Sequence, residues 1–182
     1  MTLTTRDLVL MGLFAAVMAA LGLLPQFVLP LGVPVTAQSM GVMLAGAILG
    51  ARRGFGAIAI FVALVALGLP LLAGGRGGLG VFAGPSGGFV IGFPIAAWAV
   101  GLLVGLFRRP TSVPLTILAC VLGGVGVLYA VGIPYWVAIT GNSLSAVLAI
   151  AVNFLPGDAI KAVVAGLVAV TVRRGYPALS SR

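Results

Sequence analysis

The sequence has 182 residues, of which 62% are hydrophobic and only 7% are charged. A soluble domain has about 25% charged residues, so this chain cannot cover a globular surface with polar groups. Its net charge of +8 would suit nucleic acid in a soluble protein. Here the basic residues stand in short clusters between apolar runs, which indicates orientation in a lipid bilayer and no nucleic-acid partner. With no histidine, one cysteine and two acids, we expect no metal, no cofactor and no catalytic triad.

Six apolar runs predict six transmembrane helices. Each run approaches the roughly 20 residues needed to cross the hydrocarbon layer. A further apolar segment, residues 141–155, would reach only about 22 Å as a helix, so we predict a short helix on the outer face. The chain is therefore predicted to be an all-α membrane protein with a single transmembrane domain over residues 1–182. The predicted spans are residues 7–24, 36–51, 54–73, 88–107, 113–131 and 157–172.

The positions of the basic residues predict the orientation of the bundle. Eight of the ten lie at the N-terminus, in the second and fourth connections, and at the C-terminus, which six spans place on one side. Positive charge accumulates on the cytoplasmic side, so we predict a multi-pass protein of the cell (inner) membrane with both termini cytoplasmic. The eight residues are Arg6, Arg52, Arg53, Arg108, Arg109, Arg173, Arg174 and Arg182.

The first span carries small residues at helical spacing. Ala15 and Ala19 form one small-xxx-small pair, and Ala16 and Ala20 form another. Such pairs let a second helix approach closely. That helix could belong to this chain or to a separate subunit.

A polar amide begins the second span. Gln38 follows a connection rich in proline and lies near the predicted outer boundary. Its side chain can donate and accept hydrogen bonds, so it could bind a ligand. Capping or helix–helix hydrogen bonding is an equally good interpretation.

The third connection, residues 73–88, contains eight glycines in sixteen positions. A connection this long is usually a lid, a binding segment or disordered, and its apolar residues make disorder a poor interpretation. It lacks the Gly-Lys-Ser/Thr of a nucleotide-binding loop. Arg76 within it stands outside the cytoplasmic clusters and is a candidate ligand-binding residue. Phe89, just beyond, could line a pocket or belong to an interfacial aromatic belt.

The last span carries an acid and an amine one turn apart. Asp158 and Lys161 are three residues apart, so their side chains emerge on one face of the helix. Ionisable groups at membrane depth cost roughly 2.5–3.5 kcal/mol, which makes them functional candidates. The pair could neutralise itself at the start of the helix, or it could form the floor of an outward-facing pocket.

Several segments together resemble the BioY family, the biotin-binding S components of energy-coupling factor transporters. They occur in the family's order and extend over most of residues 7–172. The segments are PVTAQS (34–39), AGAILG (45–50), GLP (68–70), GGRGG (74–78), FAGPSGGF (82–89), GF (92–93) and FLPGDAIK (154–161).

The resemblance implies a six-helix subunit that captures biotin outside the cell. It would work with a transmembrane coupling protein and two cytoplasmic ATPases, and the Ala15–Ala19 pattern falls where such subunits meet the coupling protein. The matching positions Gln38, Asp158 and Lys161 would bind biotin. Arg76 would pair with the biotin carboxylate, although relatives commonly have asparagine or a small residue there, and Lys161 could reach that carboxylate instead.

Two other functions compete with biotin capture. An S component for another vitamin would keep the fold and change the pocket. A membrane-embedded enzyme would need a nucleophile and a base, for which only Asp158 and Lys161 are available. We therefore predict a transport protein and not an enzyme.

Overall fold

Six helices form the bundle in the computed structural model, which describes residues 3–28, 33–107 and 112–176. The helix count therefore fits the six predicted spans. Arg108, Arg109 and Arg182, used above to predict orientation, lie outside the described residues. A short antiparallel ribbon of β1 (Phe27–Val28) and β2 (Pro34–Val35) in the first connection was not predicted. The helices are α1 (Thr5–Gly22), α2 (Gln38–Leu49), α3 (Ala51–Ala66), α4 (Gly87–Leu106), α5 (Val113–Thr140) and α6 (Leu144–Gly175).

The outside of the bundle is apolar, as expected for a surface that faces lipid. Among the described residues, α1, α4, α5 and α6 are long and apolar enough to cross a membrane, whereas α2 has 12 residues and α3 has 16. Large apolar side chains such as Leu13 and Leu167 are about half exposed on this surface. Helices are suited to the bilayer because they satisfy their backbone hydrogen bonds internally. The fold is thus a membrane-embedded helical bundle.

The predicted break after residue 131 is wrong, because α5 continues through Thr140. Gly132 and Pro134 suggested a connection, yet Gly132 packs directly on the ring of Phe89 and Pro134 lies within the helix. Neighbouring helices make such residues tolerable inside membrane helices. The segment predicted as a short outer-face helix, residues 141–155, is helical over Leu144–Ala151 and continues through a 3-10 turn at Val152–Phe154 into the last span, so the two are described together as α6.

The third span ends earlier than predicted, at Ala66 instead of residue 73. Residues 67–72 are apolar, which extended the predicted span, but Gly68 adopts a φ of 105° and Pro70 cannot continue a helix. The connection to α4 is ordered by local structure. Leu72 and Arg76 form a bridge, and a 3-10 helix covers Leu79–Val81.

One end of the bundle carries most of the described arginines. Thr4 and Asp7 form a capping box at the start of α1, and Asp7 pairs with Arg53 near the start of α3 at 2.7 Å. Gly50, with a φ of 82°, turns α2 into α3, and Gly101 of α4 packs directly on Ala51. These contacts bring the beginnings of α1 and α3 and the later part of α4 to one level. The beginnings of α2 and α4 therefore lie at the opposite end.

Candidate ligand-binding site

A cavity lies at the end of the bundle opposite the arginines, between the beginnings of α2 and α4 and the middle of α5 and α6. Its empty volume is about 570 Å³ including its open mouth. The walls are mainly apolar, with a few polar groups that converge. All five residues predicted to bind a ligand lie in its lining: Gln38, Arg76, Phe89, Asp158 and Lys161.

Asp158 is the centre of a polar network in this cavity. Its Oδ1 accepts hydrogen bonds from Lys161 Nζ at 3.0 Å and from Ser39 Oγ at 3.4 Å. Its Oδ2 accepts one from the hydroxyl of Tyr129 at 2.7 Å. Lys161 Nζ also donates to Ser39 Oγ at 3.1 Å. The two interpretations of this pair, mutual neutralisation and a place in a pocket, are therefore compatible: the charges compensate each other, and both side chains line the cavity.

The network retains hydrogen-bonding capacity for a ligand. A carboxylate offers about four lone-pair sites, and Asp158 uses three of them. An ammonium group has three donors, and Lys161 uses two. One acceptor and one donor therefore remain side by side. This pair is complementary to a ligand that presents an N–H beside a carbonyl oxygen.

A second polar group of the cavity surrounds Arg76. Its Nε donates to the carbonyl oxygen of Ala73, and its Nη1 donates to the hydroxyl of buried Ser86, both at 3.2 Å. Partial burial lowers the pKa of Arg76 from its ordinary value of 12.5, yet a guanidinium starts high enough to stay charged at neutral pH. Its remaining N–H groups suit an anion such as a carboxylate.

Aromatic rings form an apolar wall between the two polar groups. Phe89 lies one turn after Ser86 on α4 and meets the ring of Tyr129 edge to face, with centroids 6.3 Å apart. Behind it, Trp136 contacts both Phe89 and Phe154 in the same manner. Phe89 therefore lies in a cavity wall and not in an interfacial belt. Trp136 is fully buried in the layer behind that wall.

Gln38 is fixed by the backbone of its own chain. Its Nε2 donates to the carbonyl oxygens of Met18 at 3.2 Å and Leu71 at 3.0 Å, and its Oε1 accepts from the N–H of Ala73 at 3.1 Å. Both donors of the amide are used, and the residue is 1% exposed. In this structure Gln38 therefore ties α1 and the third connection to α2. Donation from Gln38 to a ligand would require one of these bonds to break.

Sequence reasoning missed Ser39 and Tyr129, the partners of Asp158, as well as Ser86, the partner of Arg76. A serine or tyrosine inside an apolar run carries no distinctive signal, because both are common in membrane helices. Only the packing of α2 and α5 against α6 brings Ser39 and Tyr129 to Asp158.

The small residues of α1 lie on two different faces of the helix. Ala15 is only 5% exposed and packs in the chain's own core beside Ile58 and Phe61 of α3. The face that points away from the bundle carries Ala16 and Ala20 instead. Ala15 thus packs against a helix of this chain, which is one of the two alternatives that the sequence left open, and a contact of Ala15 and Ala19 with a partner subunit stays a prediction.

We expect Tyr129→Phe to weaken ligand binding about fivefold to tenfold. The substitution keeps the ring against Phe89 but removes the hydroxyl that orients Asp158, a loss of about 1–1.5 kcal/mol. Isothermal titration of purified protein with the ligand proposed below would measure the change. Tyr176→Phe, at an exposed position on the far end of α6, is the matched control. Equal affinities for all three proteins would contradict an orienting role for Tyr129.

The fold and the site define a polytopic membrane protein that encloses a small-molecule cavity with two separate polar groups. The BioY family model matches residues 1–178, and the chain belongs to this family. It is 47% identical to the biotin transporter BioY of Rhizobium etli, over 99% of this chain and 100% of that protein. It is 48% identical to the biotin transporter BioY of Rhodobacter capsulatus, over 94% and 95% of the two chains.

A solved structure is similar over the whole bundle. The crystal structure of the S component for biotin from an ECF-type ABC transporter superposes with a TM-score of 0.89 at 30% identity, over 95% of both chains. This chain therefore shares the fold of that S component.

Proposed function

We propose that this protein is the substrate-capture subunit of an ECF-type ABC transporter and that it binds biotin from outside the cell. The observation that carries the proposal is the cavity with an acid–amine pair in one polar group and an arginine in the other. The curated relatives named biotin transporter BioY favour the same ligand and favour transport over catalysis. No cofactor is needed for this role.

The chemistry of biotin fits the two polar groups. Its ureido ring has two N–H donors and one carbonyl oxygen, and its tail ends in a carboxylate. We place the ureido ring at Asp158 and Lys161, where the network retains one acceptor and one donor. The apolar sulfur ring would pack against Phe89, and the carboxylate would pair with Arg76. Gln38 would contribute indirectly, because its hydrogen bonds to Leu71 and Ala73 fix the connection that carries Arg76.

Titration of the purified subunit with biotin tests the proposal directly. Saturable binding of one biotin per chain, unaffected by excess thiamine, riboflavin or folate, is the expected result. Displacement of labelled biotin by one of those vitamins would favour the alternative, an S component for another vitamin. Absence of biotin binding by a folded protein would contradict the proposal.

The third connection would act as a lid over bound biotin. In the structure this connection begins directly after Ala66. Within it, Gln38 is hydrogen-bonded to Leu71 and Ala73, Arg76 donates to Ser86, and the hydroxyl of Tyr135 donates to the carbonyl oxygen of Phe82. In the proposed mechanism biotin enters when these contacts open, and their closure excludes water from the polar groups. Exclusion of water strengthens the charge-assisted hydrogen bonds to the ligand.

We further propose that the subunit lies in the cell (inner) membrane with both termini cytoplasmic. The arginine-rich end would then face the cytoplasm and the cavity would face outward. In intact cells, an impermeant thiol reagent should label Ser143→Cys in the loop between α5 and α6 and leave Arg174→Cys unlabelled. The native Cys120 is buried and should not react. Labelling of Arg174→Cys but not of Ser143→Cys would contradict this topology and indicate the opposite orientation.

Release of biotin inside the cell would depend on a transmembrane coupling protein and two ATPase subunits, which supply the energy. We place the contact with the coupling protein on the outward face of α1. Gly12, Ala16 and Ala20 follow one another at four-residue spacing, Ala16 and Ala20 are exposed, and a Cβ on Gly12 would meet no atom within 4 Å. Small residues in this pattern allow close approach of a partner helix.

Ala16→Phe should abolish co-purification with the coupling protein and reduce biotin uptake at least tenfold. The bulky ring would hold the two helices apart, whereas binding of biotin by the isolated subunit should stay unchanged because the cavity is remote. Pull-down and uptake assays measure the effects. Leu167→Phe, on an exposed part of α6, is the matched control and should assemble normally. Normal assembly of Ala16→Phe with the coupling protein would contradict the proposed contact on the outward face of α1.

A further inference from the structure

The lipid-facing surface carries a second concave site, far from the ligand cavity. Between α3 and α4 an open groove is lined by Arg52, Phe55, Ile95 and Trp98. Its empty volume is about 700 Å³ including the space open to the surroundings. Gly101 of α4 packs on Ala51, next to Arg52, so the groove starts at the arginine-rich end and runs toward the middle of the membrane.

The lining of the groove suits a hydrocarbon chain. Phe55, Ile95 and Trp98 are each about 40–45% exposed although they are large and apolar. In a membrane-embedded bundle such side chains face lipid. A concave arrangement of two aromatic rings and an isoleucine offers more contact to one chain than a flat lipid-facing surface does.

The charge at the end of the groove selects the headgroup. The described residues at this end include five arginines and a single acid, Asp7, so the end carries excess positive charge. Excess positive charge beside the membrane surface attracts anionic lipids by about 1 kcal/mol per arginine. A phosphate also accepts the paired N–H groups of a guanidinium.

We propose that the groove binds an anionic phospholipid of the surrounding bilayer. Its phosphate contacts the guanidinium of Arg52, and one acyl chain lies along Phe55, Ile95 and Trp98. The lipid would cover the seam between α3 and α4 at the end where Gly50 turns α2 into α3.

The two tryptophans of the chain allow a direct test. Trp98 lies in the groove at 44% exposure, whereas Trp136 is fully buried. Phospholipids with brominated acyl chains quench the fluorescence of a tryptophan that they contact. The part of the quenching that is present in the wild type and absent in Trp98→Phe therefore measures how much brominated lipid occupies the groove. The protein is reconstituted with brominated phosphatidylglycerol or brominated phosphatidylcholine at equal mole fraction, the rest being the unbrominated zwitterionic lipid.

We expect the anionic brominated lipid to be enriched about fivefold at Trp98 relative to the zwitterionic one. Arg52→Gln should abolish this preference, while Arg174→Gln, at the same end but outside the groove lining, should retain it. Equal quenching by both lipids, or a preference that survives in Arg52→Gln, would overturn the proposal. Quenching of Trp98 by neither lipid would also overturn it and would indicate that protein, such as a second copy of this chain, covers the groove.

Discussion

Asp158→Asn is expected to weaken biotin binding about 10- to 150-fold. The carboxylate accepts from Tyr129, Ser39 and Lys161, and we propose that it also accepts a ureido N–H. Asparagine keeps the shape but replaces one charged acceptor by an amide nitrogen that can only donate. Loss of a charge-assisted hydrogen bond costs about 1.5–3 kcal/mol, and each 1.4 kcal/mol is a factor of ten in affinity. Titration of the purified variant measures the loss.

The stability of this variant separates binding from folding. Asparagine leaves the ammonium group of Lys161 without its charge partner, so some loss of thermal stability is expected. The double variant Asp158→Asn with Lys161→Met removes both charges and should recover stability without recovering affinity. Asp7→Asn, which alters the other acid at the far end of the bundle, should lower stability and leave affinity unchanged. Wild-type affinity in folded Asp158→Asn would contradict the proposed site.

Arg76→Gln is expected to weaken biotin about 10- to 100-fold and to leave the methyl ester of biotin nearly unaffected. The structure separates Arg76 and Ser86 from the network of Asp158, so a ligand that bridges both needs its carboxylate at the arginine. The ester lacks the negative charge that Arg76 would pair with. The difference between the two ligands therefore isolates the charge interaction from any change in the connection.

The same pair of ligands decides between Arg76 and Lys161. Lys161→Gln should weaken biotin and its methyl ester equally, because both carry the ureido ring. Arg76→Lys retains the charge but not the planar donor geometry that holds Ala73 and Ser86, so it should recover part of the affinity. If Lys161→Gln discriminates between acid and ester and Arg76→Gln does not, the lysine holds the carboxylate and the proposed ligand orientation is reversed.

The difference between the predicted and observed role of Gln38 shows the limit of residue chemistry. An amide at the start of a span has the atoms to bind a ligand and equally the atoms to bind backbone. The choice depends on which groups neighbouring segments bring within reach. Here Met18, Leu71 and Ala73 occupy both donors and one acceptor site of the amide. Binding of biotin by Gln38 therefore stays a prediction, whereas its hold on the third connection is visible.

The sequence by itself determined the membrane class, the number of helices and the acid–amine pair on the last one. These follow from local properties: apolar length sets the spans, and a spacing of three residues places Asp158 and Lys161 on one face. The resemblance to a family added the ligand. Glycine and proline were poorer guides, because Gly132 and Pro134 lie inside a helix whose neighbours accommodate them.

Only the tertiary structure decided which side chains meet. Tyr129 and Ser39 are distant from Asp158 in sequence and become its partners because α2 and α5 pack against α6. Likewise, the orientation of α1 about its axis buries Ala15 and exposes Ala16. Because the helix is apolar on all sides, its sequence has no periodicity that could predict this orientation. Composition measures how strongly a helix prefers lipid, but the contacts among helices depend on shape and on a few hydrogen bonds, which appear only when the helices are assembled.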